Sequence, residues 1–186
     1  MSKYAVLDKI KMYLKRMYRI TRSFEKQEEL VWNDLKKFHN GADFKSGVYE
    51  RERYIETIFG LSDEQLGTFY YMLYDGRYHC RVKVLESFPE ELATDVFILA
   101  SHINNVLNNG IVIVNVNRGY VEFHQKRDLL VPLIYTDDIY DQLLRHYNTS
   151  KDIYSAFRRL IVEQEAPAII IADLLKKNEE EDEKKE

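Results

Sequence analysis

The chain has 186 residues, of which 45% are hydrophobic and 31% charged, and its formal net charge is −4. This length suits one sizeable core rather than two, and the single cysteine, Cys80, excludes both an intramolecular disulfide framework and a cysteine-rich zinc site. No stretch approaches the roughly 18 consecutive apolar residues of a membrane span, and the N-terminus lacks the apolar run of a signal peptide, so we expect a cytoplasmic protein.

Residues 1–22 have the pattern of a basic amphipathic helix. Seven Lys and Arg stand against Asp8 alone there, a net charge of +6, whereas residues 23–175 carry −8. At 100° per residue, the apolar residues on one side are Tyr4, Leu7, Ile10, Leu14, Met17 and Tyr18. The basic residues of the remainder are Lys9, Lys11, Lys15, Arg16, Arg19 and Arg22.

This basic helix has two interpretations. Such a helix binds a membrane surface or an anionic partner, and its candidate contact residues are then Tyr4, Leu7, Ile10, Leu14, Met17, Lys11, Lys15 and Arg19. Alternatively it packs on its own acidic domain or on a dimer mate, with its Lys and Arg solvated. We favour packing, because Tyr and Leu at helical spacing more often belong to a core.

The next segments predict a second helix and part of a sheet. A helix is expected over residues 24–38, ending at Asn40-Gly41. Residues 46–59 fit neither period cleanly, and we interpret them as one strand. Asp75-Gly76 joins two aromatic or β-branched runs, residues 69–74 and 77–85, as the two-residue loop of a type I′ hairpin. Alternation along the second run predicts one buried and one solvated face.

A helix followed by a second hairpin comes next. Pro89 opens the helix at a position where its missing N–H does no harm, and Asn109-Gly110 ends it. Residues 111–116 and 120–125 are predicted strands, and Gly119 supplies the left-handed conformation that their short connection requires.

The last third of the chain is predicted to be helical. One short helix includes Leu143, and Thr149 or Ser150 caps another. A final apolar helix runs from Pro167 through Leu175. Residues 176–186 are almost wholly charged, and we interpret them as a solvated, disordered tail.

This order of elements resembles the YbjN family, whose domains share the fold of type III secretion chaperones. The segments that carry the resemblance are residues 87–92 (SFPEEL), 105–112 (NVLNNGIV) and 117–123 (NRGYVEF). The resemblance covers roughly residues 61–175 and implies a noncatalytic, often dimeric α+β domain that binds proteins or acts in regulation. We therefore predict an N-terminal helical extension (1–40), a YbjN-like α+β domain (41–175) with an antiparallel sheet of about five strands and a crossover helix, and the charged tail (176–186).

The sequence contains none of the short signatures of phosphate loops, zincins, serine hydrolase elbows or dithiol redox sites. We expect no catalytic residues, no metal and no cofactor. His79 and His124 lie on the predicted polar faces of two strands, and they are the candidates for a pocket, a shared metal or a pH switch. The alternative to a noncatalytic module is an enzyme or small-ligand binder with an unrecognised site between sheet and helices.

The predicted function is a protein-interaction, chaperone-like or regulatory module that binds another polypeptide, and we expect a homodimer. Tyr70, Tyr74 and Tyr78 resemble a stacking platform for bases. The −8 charge of residues 23–175 opposes phosphate contacts, so nucleic acid is not an expected partner. Membrane-surface contact through residues 1–22 is a further alternative that we do not favour.

Overall fold

The computed structural model describes residues 3–41 and 44–183, and the side chains of residues 7–41 and 44–176. Its strands are β1 (Ser46–Tyr49), β2 (Tyr54–Gly60), β3 (Leu66–Tyr74), β4 (Arg77–Leu85), β5 (Ile111–Asn115) and β6 (Tyr120–Asp128). Its helices are α1 (Lys3–Ile20), α2 (Phe24–Gly41), α3 (Ala93–Val106), α4 (Leu130–Ile134), α5 (Asp138–Ile161) and α6 (Pro167–Glu183). Single 3₁₀ turns span Glu90–Leu92 and Val116–Arg118.

Within the described residues, six strands form one antiparallel sheet in the order β1-β2-β3-β4-β6-β5. The order follows the chain except at its end, where α3 carries the backbone across to the far edge before β6 returns beside β4. The predicted fold class is confirmed: α+β, with an antiparallel sheet, a crossover helix, an N-terminal helical extension and C-terminal helices.

The sheet has one strand more than predicted, because the segment interpreted as a single strand forms the β1–β2 hairpin. Ser46 pairs with Thr57 and Tyr49 with Tyr54 in this hairpin. The four connecting residues, 50–53, contain no glycine, proline, asparagine or aspartate, and Arg53 takes the left-handed conformation with φ of 51°. Turn signals in a sequence come mainly from those missing residue types, so the pattern gave no sign of a turn here.

The two predicted tight turns are confirmed. Asp75 and Gly76 have φ of 52° and 66°, as a type I′ turn requires at both central residues. Gly119 has φ of 64° and follows the turn that connects β5 with β6. The alternation of buried and half-buried residues along β3 and β4 also agrees with the predicted two-faced hairpin.

The chain divides into two units. The first comprises Met1–Ile58, Tyr70–Cys80 and Lys126–Arg145, and within it α1 packs on α2 and α4. The second comprises Phe59–Phe69, Arg81–Gln125 and His146–Glu186, and within it α3 packs on β5 and α6.

The C-terminal helices are longer than the sequence predicted. Neither Thr149 nor Ser150 caps a helix, because both lie inside the continuous α5. The Ser150 hydroxyl is fully buried and donates to the His146 carbonyl one turn earlier, at 2.6 Å, so the side chain is satisfied without ending the helix. α6 continues past Leu175 to Glu183. The disorder proposed for the charged tail stays a prediction, and residues 184–186 lie outside the described part.

β5 is an edge strand whose free side is closed by a side chain. Its five residues carry no charge, and an apolar edge strand is a template for unwanted strand pairing. Asn104 of α3 accepts a hydrogen bond from the Val112 N–H at 2.7 Å and donates to the Val112 carbonyl at 3.0 Å. The amide thus takes the place that a neighbouring strand's peptide group would occupy.

We predict that Asn104→Ala destabilises the protein by about 2 kcal/mol. The substitution leaves the buried N–H and C=O of Val112 without partners, and each unsatisfied group costs roughly 1–3 kcal/mol before water compensates. Urea denaturation measures this effect, and light scattering against protein concentration reports association through the opened edge. The control is Asn105→Ala, an exposed neighbour on the same helix. Equal stability of the two variants would show that the Asn104 amide does not hold the edge.

Candidate binding surface

α1 turns its apolar side toward solvent. Leu7, Ile10, Leu14 and Met17 are 46%, 49%, 60% and 38% exposed. These four residues, called the α1 stripe below, were predicted to pack on the chain's own domain or on a dimer mate. The helix does pack on α2 and α4, but not through the stripe, which stays uncovered, and packing of the stripe on a dimer mate stays a prediction. Tyr4 belongs to the same predicted surface, but its side chain lies outside the described residues.

The opposite side of α1 packs on the first unit through a buried arginine. Arg19 is only 4% exposed, so it is not the surface residue that the sequence suggested. Its guanidinium lies 2.7 Å from the Asp34 carboxylate, and its Nε donates to the Leu133 carbonyl at 2.7 Å. This one side chain therefore ties α1 to both α2 and α4.

Besides Arg19, the described basic side chains of α1 and of the residues just beyond it form two groups. Arg16 lies over the Tyr135 ring at 4.7 Å, and beyond the helix end Arg22 covers the Tyr18 ring at 3.9 Å. Lys9, Lys11 and Lys15 are exposed, and none of them forms a salt bridge with any side chain that the structure describes. These three ammonium groups are therefore available for contact with another molecule.

A cavity of about 330 Å³ adjoins the packed side of α1. The charged residues that line it are Lys15, Arg16, Arg19, Asp137, Asp138 and Asp141. Asp138 accepts a hydrogen bond from Arg127 at 2.8 Å, which occupies one of its oxygens. The cavity is thus a cleft of mixed charge and not a pocket of one sign.

The structure places the two candidate histidines in separate local settings. The His79 ring stacks on Tyr74 across the β3–β4 turn, with 3.9 Å between ring centroids. His124 Nε2 lies 3.1 Å from Glu122 on the same strand. Among the described residues, no group of three or more His, Cys, Asp or Glu is placed to hold a metal ion. Neither histidine lines the cavity beside α1, and their pocket role stays a prediction.

Two other histidines, which the sequence did not single out, are fully buried. His39 Nδ1 lies 3.3 Å from the Thr57 hydroxyl and 3.4 Å from that of Ser46, and its ring contacts Tyr71. His146 stacks on Phe123 at 5.1 Å. Both follow an apolar core residue at helical spacing, Leu35 and Leu143 respectively, and that spacing was the available signal.

Burial shifts the pKa values of His39, His146 and Cys80. Desolvation lowers the pKa of His39 to about 4 and that of His146 to about 3, so both are neutral near pH 7. Desolvation likewise raises the pKa of the Cys80 thiol to about 12. A thiol held protonated is a poor nucleophile, and Cys80 is a small buried residue of the core.

No family model matches the chain, and no curated protein matches it. Among solved structures, it is similar to the crystal structure of the ExsC–ExsE complex, with 16% sequence identity, a TM-score of 0.45, and coverage of 66% of this chain and 92% of that one. Membership of the YbjN family stays a prediction. In the part of the chain that the structure describes, no helix is long and apolar enough to cross a membrane.

We predict that Arg19→Met destabilises the protein by about 2–3 kcal/mol. The substitution leaves the Asp34 carboxylate and the Leu133 carbonyl without their cationic donor, and breaking a buried ion pair costs roughly 3–5 kcal/mol when both partners are fully buried. Asp34 keeps some contact with water, which lowers the expected cost. Urea denaturation measures the loss. Arg16→Met, which removes only a cation–π contact, is the matched control and should cost at most about 1 kcal/mol.

We predict that the free energy of unfolding falls as the pH drops below about 6.5. Each unfolded histidine binds a proton near pH 6.5, whereas folded His39 and His146 stay neutral down to about pH 4 and 3. Acid therefore favours the unfolded state across this window, by about 1.4 kcal/mol per pH unit and histidine at most. Denaturant titrations between pH 5 and 8 measure the slope.

The control for this pH effect uses two substitutions. His146→Leu removes one buried titrating group and should flatten the pH dependence between pH 6.5 and 5. His102→Leu replaces an exposed histidine and should leave it unchanged. A slope that His146→Leu does not alter would contradict the assignment, whatever that substitution does to stability at pH 8.

Proposed function

We propose that this protein is a noncatalytic module that binds another polypeptide, and that the N-terminal helical extension, residues 1–40, supplies the contact. The observation that carries this proposal is that α1 packs through the side that carries Arg19 and leaves its apolar side in solvent. The helix buries Arg19 and exposes the α1 stripe. An apolar face left in water on an amphipathic helix is unfavourable by itself and is a common mark of an interaction site.

The composition of the exposed surface supports a protein partner. Met12, Tyr13, Met17 and Tyr18 are exposed on α1 together with the leucines and isoleucine of the stripe. Met and Tyr are enriched in the cores of protein interfaces, because they supply large contact areas that adapt to the partner. Complete burial of a Leu, Ile or Met contributes about 1.5–3 kcal/mol, so covering half-exposed stripe residues would contribute about half of that each.

A second candidate function is small-ligand binding in the cavity beside α1. Its volume of about 330 Å³ falls at the small end of the range for ligand sites. Such sites are lined mainly by apolar and aromatic side chains with few polar groups. Six of the ten residues that line this cavity are charged, and they include both signs. The α1 stripe is therefore the better candidate for the binding site.

We predict that Leu14→Glu abolishes capture of the partner from a lysate of the source cells, because a carboxylate at the most exposed stripe position opposes apolar contact. Captured proteins are compared by quantitative mass spectrometry between the unchanged protein and the variant. Val162→Glu is the matched control, since Val162 is also apolar and 64% exposed but lies just beyond α5. A captured set that depends on Leu14 and not on Val162 supports the proposal, and one that Leu14→Glu leaves unchanged contradicts it.

A further inference from the structure

We propose that the polypeptide bound by α1 is an amphipathic helix with acidic residues beside its apolar seam; this inference rests on the proposed function. The spacing of the α1 stripe is the first reason. Its members follow one another by three, four and three residues, which is the a-d-a-d spacing of a two-stranded coiled coil. A helix is the partner whose side chains interlock with that spacing.

The lysines beside the stripe are the second reason. Lys11 lies four residues after Leu7 and three before Leu14, so it neighbours both on the helix surface. In the heptad frame set by Leu7 and Ile10, Lys11 occupies position e, where charges meet the partner helix and select it. Lys15 follows one turn later at position b, farther from the seam and beside the cavity on the packed side, so Lys11 is the lysine that adjoins the seam. Neither lysine has a salt-bridge partner among the described side chains, so a glutamate on the incoming helix has an open counter-charge.

The charge of α1 argues against a second copy as the occupant. Packed helices have axes about 8–10 Å apart, and charges in physiological salt are screened over about 8 Å. Two α1 helices seam to seam would bring two segments of formal net charge +5 within that distance, including both copies of Lys11. The repulsion at this seam disfavours the symmetric pair and favours a partner of opposite sign.

An anionic membrane is also disfavoured as the occupant. Basic amphipathic helices bind such surfaces through lysines around an apolar face. Here, Asp137, Asp138 and Asp141 line a cavity together with Lys15 and Arg16 of α1. These carboxylates offset the attraction of Lys15 and Arg16 to anionic lipid, whereas Lys11 does not line the cavity and can meet an acidic residue of a single helix.

The test measures binding of two synthetic peptides to the full-length protein by fluorescence anisotropy. Both peptides have three heptads with Leu at a and d; one has Glu and the other Lys at e and g. We expect the glutamate peptide to bind at least tenfold more tightly at 50 mM salt, and the difference to shrink at 500 mM. Lys11→Glu should reverse the preference, Leu14→Glu should abolish binding of both peptides, and Val162→Glu should change neither.

Other results of the peptide experiment would contradict part or all of the inference. Equal binding of both peptides that Leu14→Glu abolishes would overturn the acidic partner and leave the α1 stripe as a protein-binding surface. No binding of either peptide would overturn the inference, and with unchanged capture by Leu14→Glu it would overturn the proposed function as well. Two further results would overturn an acidic helix of another chain as the partner: binding to vesicles of phosphatidylserine and phosphatidylcholine that Leu14→Glu abolishes, or a dimer in sedimentation that the same variant dissociates. Circular dichroism confirms that every variant is folded.

Discussion

The buried Arg19 guanidinium fixes the rotation of α1 about its own axis. It meets the Asp34 carboxylate and the Leu133 carbonyl, each at 2.7 Å, and a guanidinium removed from water requires such partners. At 100° per residue, Ile10 lies about 180° around the helix from Arg19, and Leu14 about 140°. Once Arg19 points inward, the α1 stripe has to point outward. The candidate binding surface is therefore a geometric consequence of one polar contact.

Other elements are also positioned by polar side chains that bond to the main chain. Asn104 bonds both the N–H and the C=O of Val112, which fixes α3 on β5, and Gln125 donates to the Asn109 carbonyl where the chain enters that strand. Apolar contacts tolerate sliding, whereas hydrogen bonds to backbone groups hold one register. In this protein the apolar core supplies the driving force, and these few polar contacts specify which surfaces stay exposed.

The sequence predicted the elements whose signals are local. The Asp75-Gly76 dipeptide predicts the β3–β4 turn, and Gly119 predicts the turn before β6. The β1–β2 hairpin was missed because its turn lacks residues that favour turns, and α5 was divided in two because Ser150 resembles a helix cap. For the candidate site, amphipathicity identified the apolar side of α1 but not whether that side is buried, and packing of this side was the favoured interpretation. The same pattern misplaced Arg19, since a charged residue is assumed to face water unless a partner is known.

By itself, the sequence determined the α+β class, the main turns, the amphipathic basic helix at the N-terminus and the missing catalytic motifs. These follow from periodicity, residue conformational preferences and composition, which act over a few neighbouring residues. Only the tertiary structure decided which side of α1 is buried, that Asn104 closes the sheet edge, and that His39 and His146 are enclosed. Each of these depends on partners distant in sequence, such as Leu133 for Arg19, and periodicity identifies an apolar face without showing what covers it.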